Sequence, residues 1–394
     1  MKKDERVYWI WLQQAFGPGS PKPMKLHRQY PGGVKEFCLG GPRLWNSRRD
    51  LSDKEAVTLR DFSVSQAEAR LEYAERLGWW VVTPGCEKYP PLLTHISDPP
   101  AVLYGKGTLP DWNEALPIAI AGSRKAAPES VDAAKRIGYE LAAGGACVVS
   151  GGAEGIDSAA LNGAITLPGA KVISVLPVSL DSNYVMKNAG LRRTICERGG
   201  ALLTEYFAQP APLHGTFPTR NRLITGVSRG IVLIQAAKKS GTMLYAGHAL
   251  DQNRDVFVYP GPEGDARFAG GHELLADGAI PATCGEDVLS EYGGARPTNR
   301  ETVTYLFDDL LPAAQPPQTA ALADVTAGLS PTETAVLSAL STQPLSVAEL
   351  EERTGFSTAE LFSILTTLEL EGLAESLPGK RYKAASRRGQ GYTQ

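Results

Sequence analysis

Between residues 117 and 261 six short apolar runs alternate with helix-length segments, and this rhythm restricts the fold more than any other feature of the chain. The runs are PIAIAG, ACVVSGG, KVISVL, ALLTE, GIVLIQ and DVFVYPG. Between them lie ESVDAAKRIGYELAAGG, DSAALNGAI, VMKNAGLRRTICERGG, FPTRNRLITGVS and TMLYAGHALDQ. The runs are apolar throughout rather than at every second residue, so both faces of each strand are buried. Strands of that kind, separated by helices, predict a parallel sheet covered on both sides. The expected fold is α/β: a doubly wound, Rossmann-like domain centred on residues 117–290 and taken with its lead-in as 86–294.

The flanks read differently. Residues 1–85 predict a small helical module, with helices in DKEAVTLRDF and in SVSQAEARLEYAERLG, the second capped at Ser65 and stopped at Gly78. GPGSPKPMKLHRQYPGG reads as a loop because of its prolines and glycines, and WWVVT as a short strand. Residues 295–328, rich in proline and alanine, read as a linker. Residues 329–385 carry three capping signals, Ser330 with Glu333, Ser346 with Glu349 and Ser357 with Glu360, followed by two strands around Pro378-Gly379. Three capped helices and a hairpin predict a winged helix.

Composition excludes several classes. No apolar run approaches the ~18 residues of a membrane span, and the first residues lack the apolar stretch of a secretion signal. Five scattered cysteines, an odd number, suit a reducing cytoplasm, and neither they nor the five histidines have metal-ligand spacing. No cofactor or metal is expected. The net charge is −3, so any nucleic acid must be held by a local patch.

Ligands of open α/β sheets bind beyond the carboxyl ends of the strands, and four such ends carry unusual residues. The first holds Gly122, Ser123 and Arg124. The second holds Ser150, Gly151, Gly152, Gly155 and Asp157. The third is FPTRNRLITGVS, with Phe217, Arg220, Asn221 and Arg222; the fourth holds Ser240, Gly241 and Thr242. Small residues let backbone N–H groups reach an anion at a helix start, and arginine adds charge in a bidentate geometry. The helix of the third segment is expected to enter at Thr219, which sets two arginines at the positive end of its dipole. An external anion, with a base stacked on Phe217, accounts for that placement. The competing readings are local: Asp157 as a helix cap, Phe217 as core, the glycines as tight turns, and one arginine paired with Glu205 or Asp157. Adjacent helical residues turn about 100°, so residues 220 and 222 diverge by about 200°. Arg220 is expected to face outward and Arg222, next to the apolar stripe, inward.

These motifs resemble the DNA-processing protein A family (DprA, also called Smf). YPPLLTHISDPPAVLYGKGTL is similar to the family's entry segment, and GSR, SGGAEGID, FPTRNRLITGVS, SGTM and YPG follow in the family's order. The resemblance covers residues 89–290 closely and the N-terminal (SAM-like) module and winged helix more loosely. It implies a cytoplasmic, non-enzymatic protein that binds incoming single-stranded DNA as a homodimer, protects it and loads the RecA recombinase during natural transformation. The chain departs from the family pattern at Leu161, where a histidine is usual, at Gln235, where a glutamate is common, at Ser179 for a glycine and at His214 for a lysine.

Two other functions fit less well. Nucleotide phosphoribohydrolases of the lysine decarboxylase-like group use a PGG-x-GT loop with a nearby glutamate; this chain has KKSGTM there. A regulator gripping duplex DNA through its winged helix would need a basic recognition helix. Residues 330–371 instead hold seven glutamates and a single base, Arg353.

Overall fold

A computed structural model of the chain describes residues 4–182, 188–208, 211–213, 215–293, 331–340, 345–357, 360–361, 364–365, 367–368, 373–377 and 381–384. It forms two compact units, Met1–Val303 and Thr304–Gln394.

Six helices open the first unit: α1 (Arg6–Phe16), α2 (Lys22–Gln29), α3 (Gly33–Leu39), α4 (Gly41–Asn46), α5 (Asp53–Asp61) and α6 (Val64–Arg76). Seven consecutive residues of α1, Val7 to Gln13, are buried, which is the signature of a helix packed on all sides. Trp11 meets Phe37 and Trp45 at ring-centroid distances of 6.1 and 5.1 Å. The stretch expected as a loop contains α2. Its proline sits in the first turn, where a missing N–H costs nothing, and Met24 and Leu26 are buried. The cap of α6 is Ser63, in a full capping box with Gln66, not Ser65. The shift follows from the box, which needs a glutamine or glutamate three residues on.

A nine-stranded sheet follows, built from β1 (Trp80–Val82), β2 (Leu103–Gly107), β3 (Leu116–Gly122), β4 (Ala146–Ser150), β5 (Val172–Val175), β6 (Ala201–Thr204), β7 (Gly230–Ile234), β8 (Asp255–Val258) and β9 (Ile280–Pro281). Their order is β1-β2-β6-β5-β4-β3-β7-β8-β9. From β6 to β9 every pairing is parallel; β2 runs antiparallel to both β6 and β1. The connecting helices are α7 (Pro128–Ala143), α8 (Ile156–Ile165), α9 (Ala189–Glu197), α10 (Thr216–Gly226), α11 (Met243–Asp251) and α12 (Ala269–Ala276), and α13 (Gly285–Ser290) closes the unit.

Alternate strand residues feed two cores. Ile118, Ile120, Val148 and Val232 face α7 and α8. Ala119, Ala121, Val149 and Leu233 face α10 and α11, where Leu223, Ile224 and Val227 form the expected stripe. The chain runs outward from β3 to β6, then returns to place β7 on the other side of β3. The carboxyl ends of β3 and β7 therefore flank the crevice that open sheets leave at such a reversal.

The second unit holds α14 (Pro331–Ala339), β10 (Leu345–Ser346), α15 (Val347–Thr354), β11 (Ala374–Leu377) and β12 (Arg381–Ala384). It is a winged helix whose sheet, ordered β10-β12-β11, has one strand more than the expected hairpin. Val336, Leu350, Leu361 and Leu365 lie in its core. The capping box of Ser346 and Glu349 is formed, and Glu360 accepts the Ser357 N–H at 2.9 Å. Ser330, the linker and Pro378-Gly379 lie outside the described residues.

Candidate nucleic-acid interface

α10 begins at Thr216, three residues before the expected Thr219, behind Gly215 at φ 97°. Pro218 falls in the first turn, which it tolerates for the same reason as in α2. Arg220 and Arg222 consequently sit in the second turn, away from the free N–H groups. Their divergence sends them to different destinations.

Arg222 turns inward. Its Nη2 donates to Oε2 of Glu205, and its Nε lies 3.2 Å from an Asp98 oxygen. Arg222 and Glu205 are 3% and 2% exposed, so this pair is fully desolvated. Glu205 also accepts the Gly19 N–H at 3.2 Å. Burial pushes the Glu205 carboxyl up, and Arg222 partly offsets the effect. Among the proposed DNA-contacting residues, Arg222 is thus in a structural ion pair, the local alternative for this segment.

Arg220 faces the crevice but is only 2% exposed. It forms the floor of a cleft of about 480 Å³, rather than projecting outward. Its Nη1 donates to the Val175 carbonyl at 2.7 Å, while its Nε has no partner among the described residues. Gly151 makes room for it: a Cβ there would stand 2.0 Å from Arg220 Nη1. Asp157 lies beside it, accepting the Ala153 N–H at 3.4 Å. Burial raises the Asp157 carboxyl, opposed first by Arg220.

The outward arginine is Arg124. It is exposed, and its guanidinium sits 4.4 Å from the centroid of the half-buried Phe217 ring. That ring therefore already carries a cation, an arrangement worth about 0.5–2 kcal/mol.

All four strand ends reach the cleft, though unequally. Gly122, Ser123 and Arg124 line it after β3; Phe217, Arg220 and Asn221 line it from α10; Ser240, Gly241 and Thr242 line it ahead of α11. The end of β4 contributes only Ala153 and Asp157, of which Asp157 alone was among the expected residues. The Ser150 hydroxyl donates to the Ile120 carbonyl at 2.7 Å, and the Gly152 carbonyl accepts the Asn188 amide at 2.8 Å. Gly155, at φ 79°, lies so close to the preceding loop that a Cβ would meet the Ser123 oxygen at 2.3 Å. The N–H of Ile156 donates to that same oxygen at 3.2 Å. The glycines of this strand end thus let the neighbouring loops and the Arg220 side chain pack closely.

The cleft also takes in Lys125, Gln235, Tyr245 and Arg267, which the sequence reading did not place there. Tyr245 follows Thr242 by one helical turn, a spacing that could have revealed it; Arg267 comes from a loop with no such signal. The lining holds four cations, Arg124, Lys125, Arg220 and Arg267, against the one carboxyl of Asp157. Arg267 is partly engaged by Asp265 and Glu129. Asn221 Oδ1 and Ser240 Oγ are buried without partners among the described residues. Such atoms cost free energy unless a ligand or water satisfies them. The arrangement suits an anion accompanied by a group able to hydrogen-bond. His214 lies outside the described residues, and Leu161 is core.

Comparison with known proteins adds to this geometry. Residues 80–293 match the family model for DNA recombination-mediator protein A, and residues 313–380 match that of the DprA winged helix domain. A protein Smf of Synechocystis is 31% identical over 411 residues, covering 97% of this chain and all of that protein. Protein Smf of Escherichia coli is 33% identical over 61% of this chain, a match that spans 63% of the relative's own length. The crystal structure of DNA processing protein A from Streptococcus pneumoniae superposes with a TM-score of 0.61 at 26% identity, covering 74% of this chain and 99% of that one.

Proposed function

The chain belongs to the DNA recombination-mediator protein A family, and on that premise we propose that its cleft binds single-stranded DNA. The observation that carries the reading is the convergence at the β3/β7 reversal of Arg124 and Arg220 with the unpartnered Asn221 and Ser240 atoms. Phosphates meet the guanidinium groups. The concave cleft admits a splayed base, whereas a duplex keeps its bases stacked inside. With no base-reading helix at the rim, recognition is largely independent of sequence.

The resemblance to the family supports a wider role as well. The protein acts as a homodimer in the cytoplasm during natural transformation, protecting incoming strands and loading the RecA recombinase. On this reading it binds its ligand rather than turning it over, as the resemblance to the family implies. The 86–294 domain carries the DNA site, residues 1–85 brace it, and the acidic winged helix of residues 329–385 contacts protein.

Fluorescence anisotropy with single-stranded and duplex oligonucleotides of equal length, over a salt series, tests the reading. Single strands should bind more tightly, with a salt slope set by the number of phosphates contacted. Equal affinity for the duplex would refute it.

A further inference from the structure

Gln235 directly follows β7 at the sheet reversal, on the wall of the cleft. Its φ is 53°, a left-handed conformation that side chains other than glycine, asparagine and aspartate rarely adopt. Among the described non-glycine residues Asn253 alone shares it, and Asn253 is an asparagine in a turn after α11. Backbone strain of this kind persists where the surroundings over-determine it, and it gathers at functional sites.

The side chain shows what holds it. Gln235 is 4% exposed. Its Oε1 accepts the Ala127 N–H at 2.8 Å, and its Nε2 donates to the Lys125 carbonyl at 3.3 Å. One amide therefore spans the loop that carries Arg124 from β3 to α7. The loop's other side is fixed by α8, whose Ile156 N–H donates to the Ser123 carbonyl, and by the close approach of Gly155. Arg124 is exposed, as are Lys125 and Arg267, and has no ion pair among those described. Its backbone is thus clamped between α8 and Gln235. An amide is the side chain suited to this clamp, since it both donates and accepts; a carboxylate could only accept.

We propose that Gln235 is a positioning residue for DNA binding: it acts through the 123–127 loop to hold Arg124 over Phe217, where the guanidinium meets a phosphate. The inference rests on the single-stranded DNA reading of the cleft.

The test uses the full chain and a fluorescent single-stranded oligonucleotide at pH 8 and pH 5. Arg124→Ala should weaken binding about tenfold, the loss of one charge-assisted contact, and lower the salt slope by roughly 0.7. Gln235→Gly removes both hydrogen bonds without backbone strain and leaves the cleft charge unchanged. It should weaken binding to a similar extent at both pH values, and the double variant should bind no more weakly than Arg124→Ala alone. Gln235→Glu should bind weakly at pH 8 and less weakly at pH 5, because burial favours the protonated carboxyl, which again donates as well as accepts. The charged and titratable groups lining the cleft with it are Arg124, Lys125, Asp157, Arg220, Tyr245 and Arg267. The wild-type protein at both pH values reports on Asp157, the one other carboxyl. Additive losses in the double variant, or wild-type binding by Gln235→Gly, would overturn the inference while leaving the DNA reading intact. Absence of single-strand binding by the wild type would remove both.

Discussion

Replacing Arg222 with methionine isolates the energetics of the buried pair beneath α10. Methionine keeps much of the arginine's apolar bulk but leaves the Glu205 carboxyl, 2% exposed, without its cation. The Gly19 N–H at 3.2 Å remains as a donor. Breaking a buried pair from one side costs about 3–5 kcal/mol. Protonation limits the carboxyl's share. The ordinary value for this group is 4.5, roughly 2.5 units below pH 7, and at about 1.36 kcal/mol per unit neutralisation costs about 3.4 kcal/mol there. At pH 5.5 the same limit is about 1.4 kcal/mol. The sign follows from linkage: burial raises this acid in the folded state, so the stability it permits is fully present below the unfolded value near 4.5 and is lost as pH rises. Arg222→Met should therefore lose about 3 kcal/mol at pH 7 and about 2 kcal/mol less than that at pH 5.5. Urea unfolding of the first unit's transition, with unchanged slope in denaturant, measures both. Glu205→Gln in the same background should abolish the difference between the two pH values. A loss of equal size at both would refute the reasoning, because the penalty would then lie in packing and not in the stranded carboxylate.

Three other expectations concern the cleft. Gly151→Ala sets a Cβ 2.0 Å from Arg220 Nη1 and should destabilise by roughly 1–3 kcal/mol, less when combined with Arg220→Ala; strict additivity in thermal unfolding would show that the two do not touch. Arg220→Ala should weaken single-strand binding and lower the slope of log K against log salt by roughly 0.7, whereas Arg222→Lys should leave the slope alone; the reverse pattern in anisotropy would exchange their roles. Phe217→Leu should loosen Arg124 and weaken binding by about 1 kcal/mol or more with little change in slope, a result that isothermal calorimetry over two salt concentrations can deny.

The alternating runs were enough to read the parallel sheet and its helices, because burial on both faces is written directly into composition. The edge strand β1 was read in WWVVT, but β2 and β9 were not legible. β2 is LYGKG and β9 is two residues long, and neither carries a run long enough to announce itself. The helix α2 was hidden by its prolines, which mark loops in general but here fall in a first turn. In the site, residue types at strand ends pointed to the rim where the cleft lies, yet they did not distinguish a glycine open to a ligand from one that makes way for another part of the protein. Gly151 and Gly155 are of the second kind, and that depends on contacts with residues 220 and 123 that no local pattern encodes. The opposite fates of Arg220 and Arg222 followed from helical geometry, but the exposure of Arg124 over Phe217 did not.

The core around α1 has a consequence for how such a chain can be divided. Trp9, Trp11 and Leu12 share one apolar cluster with Val81, Val102 and Tyr104, so the opening helices and the first edge of the sheet are halves of a single interior. Gln13 ties the same helix to the backbone carbonyl of Glu205. A protein severed near residue 85 would present a freshly exposed tryptophan-lined wall on one fragment and an uncovered strand edge on the other. Such fragments should associate or precipitate rather than behave as independent modules, so the N-terminal helices could be neither lost nor exchanged without rebuilding the surface beneath them.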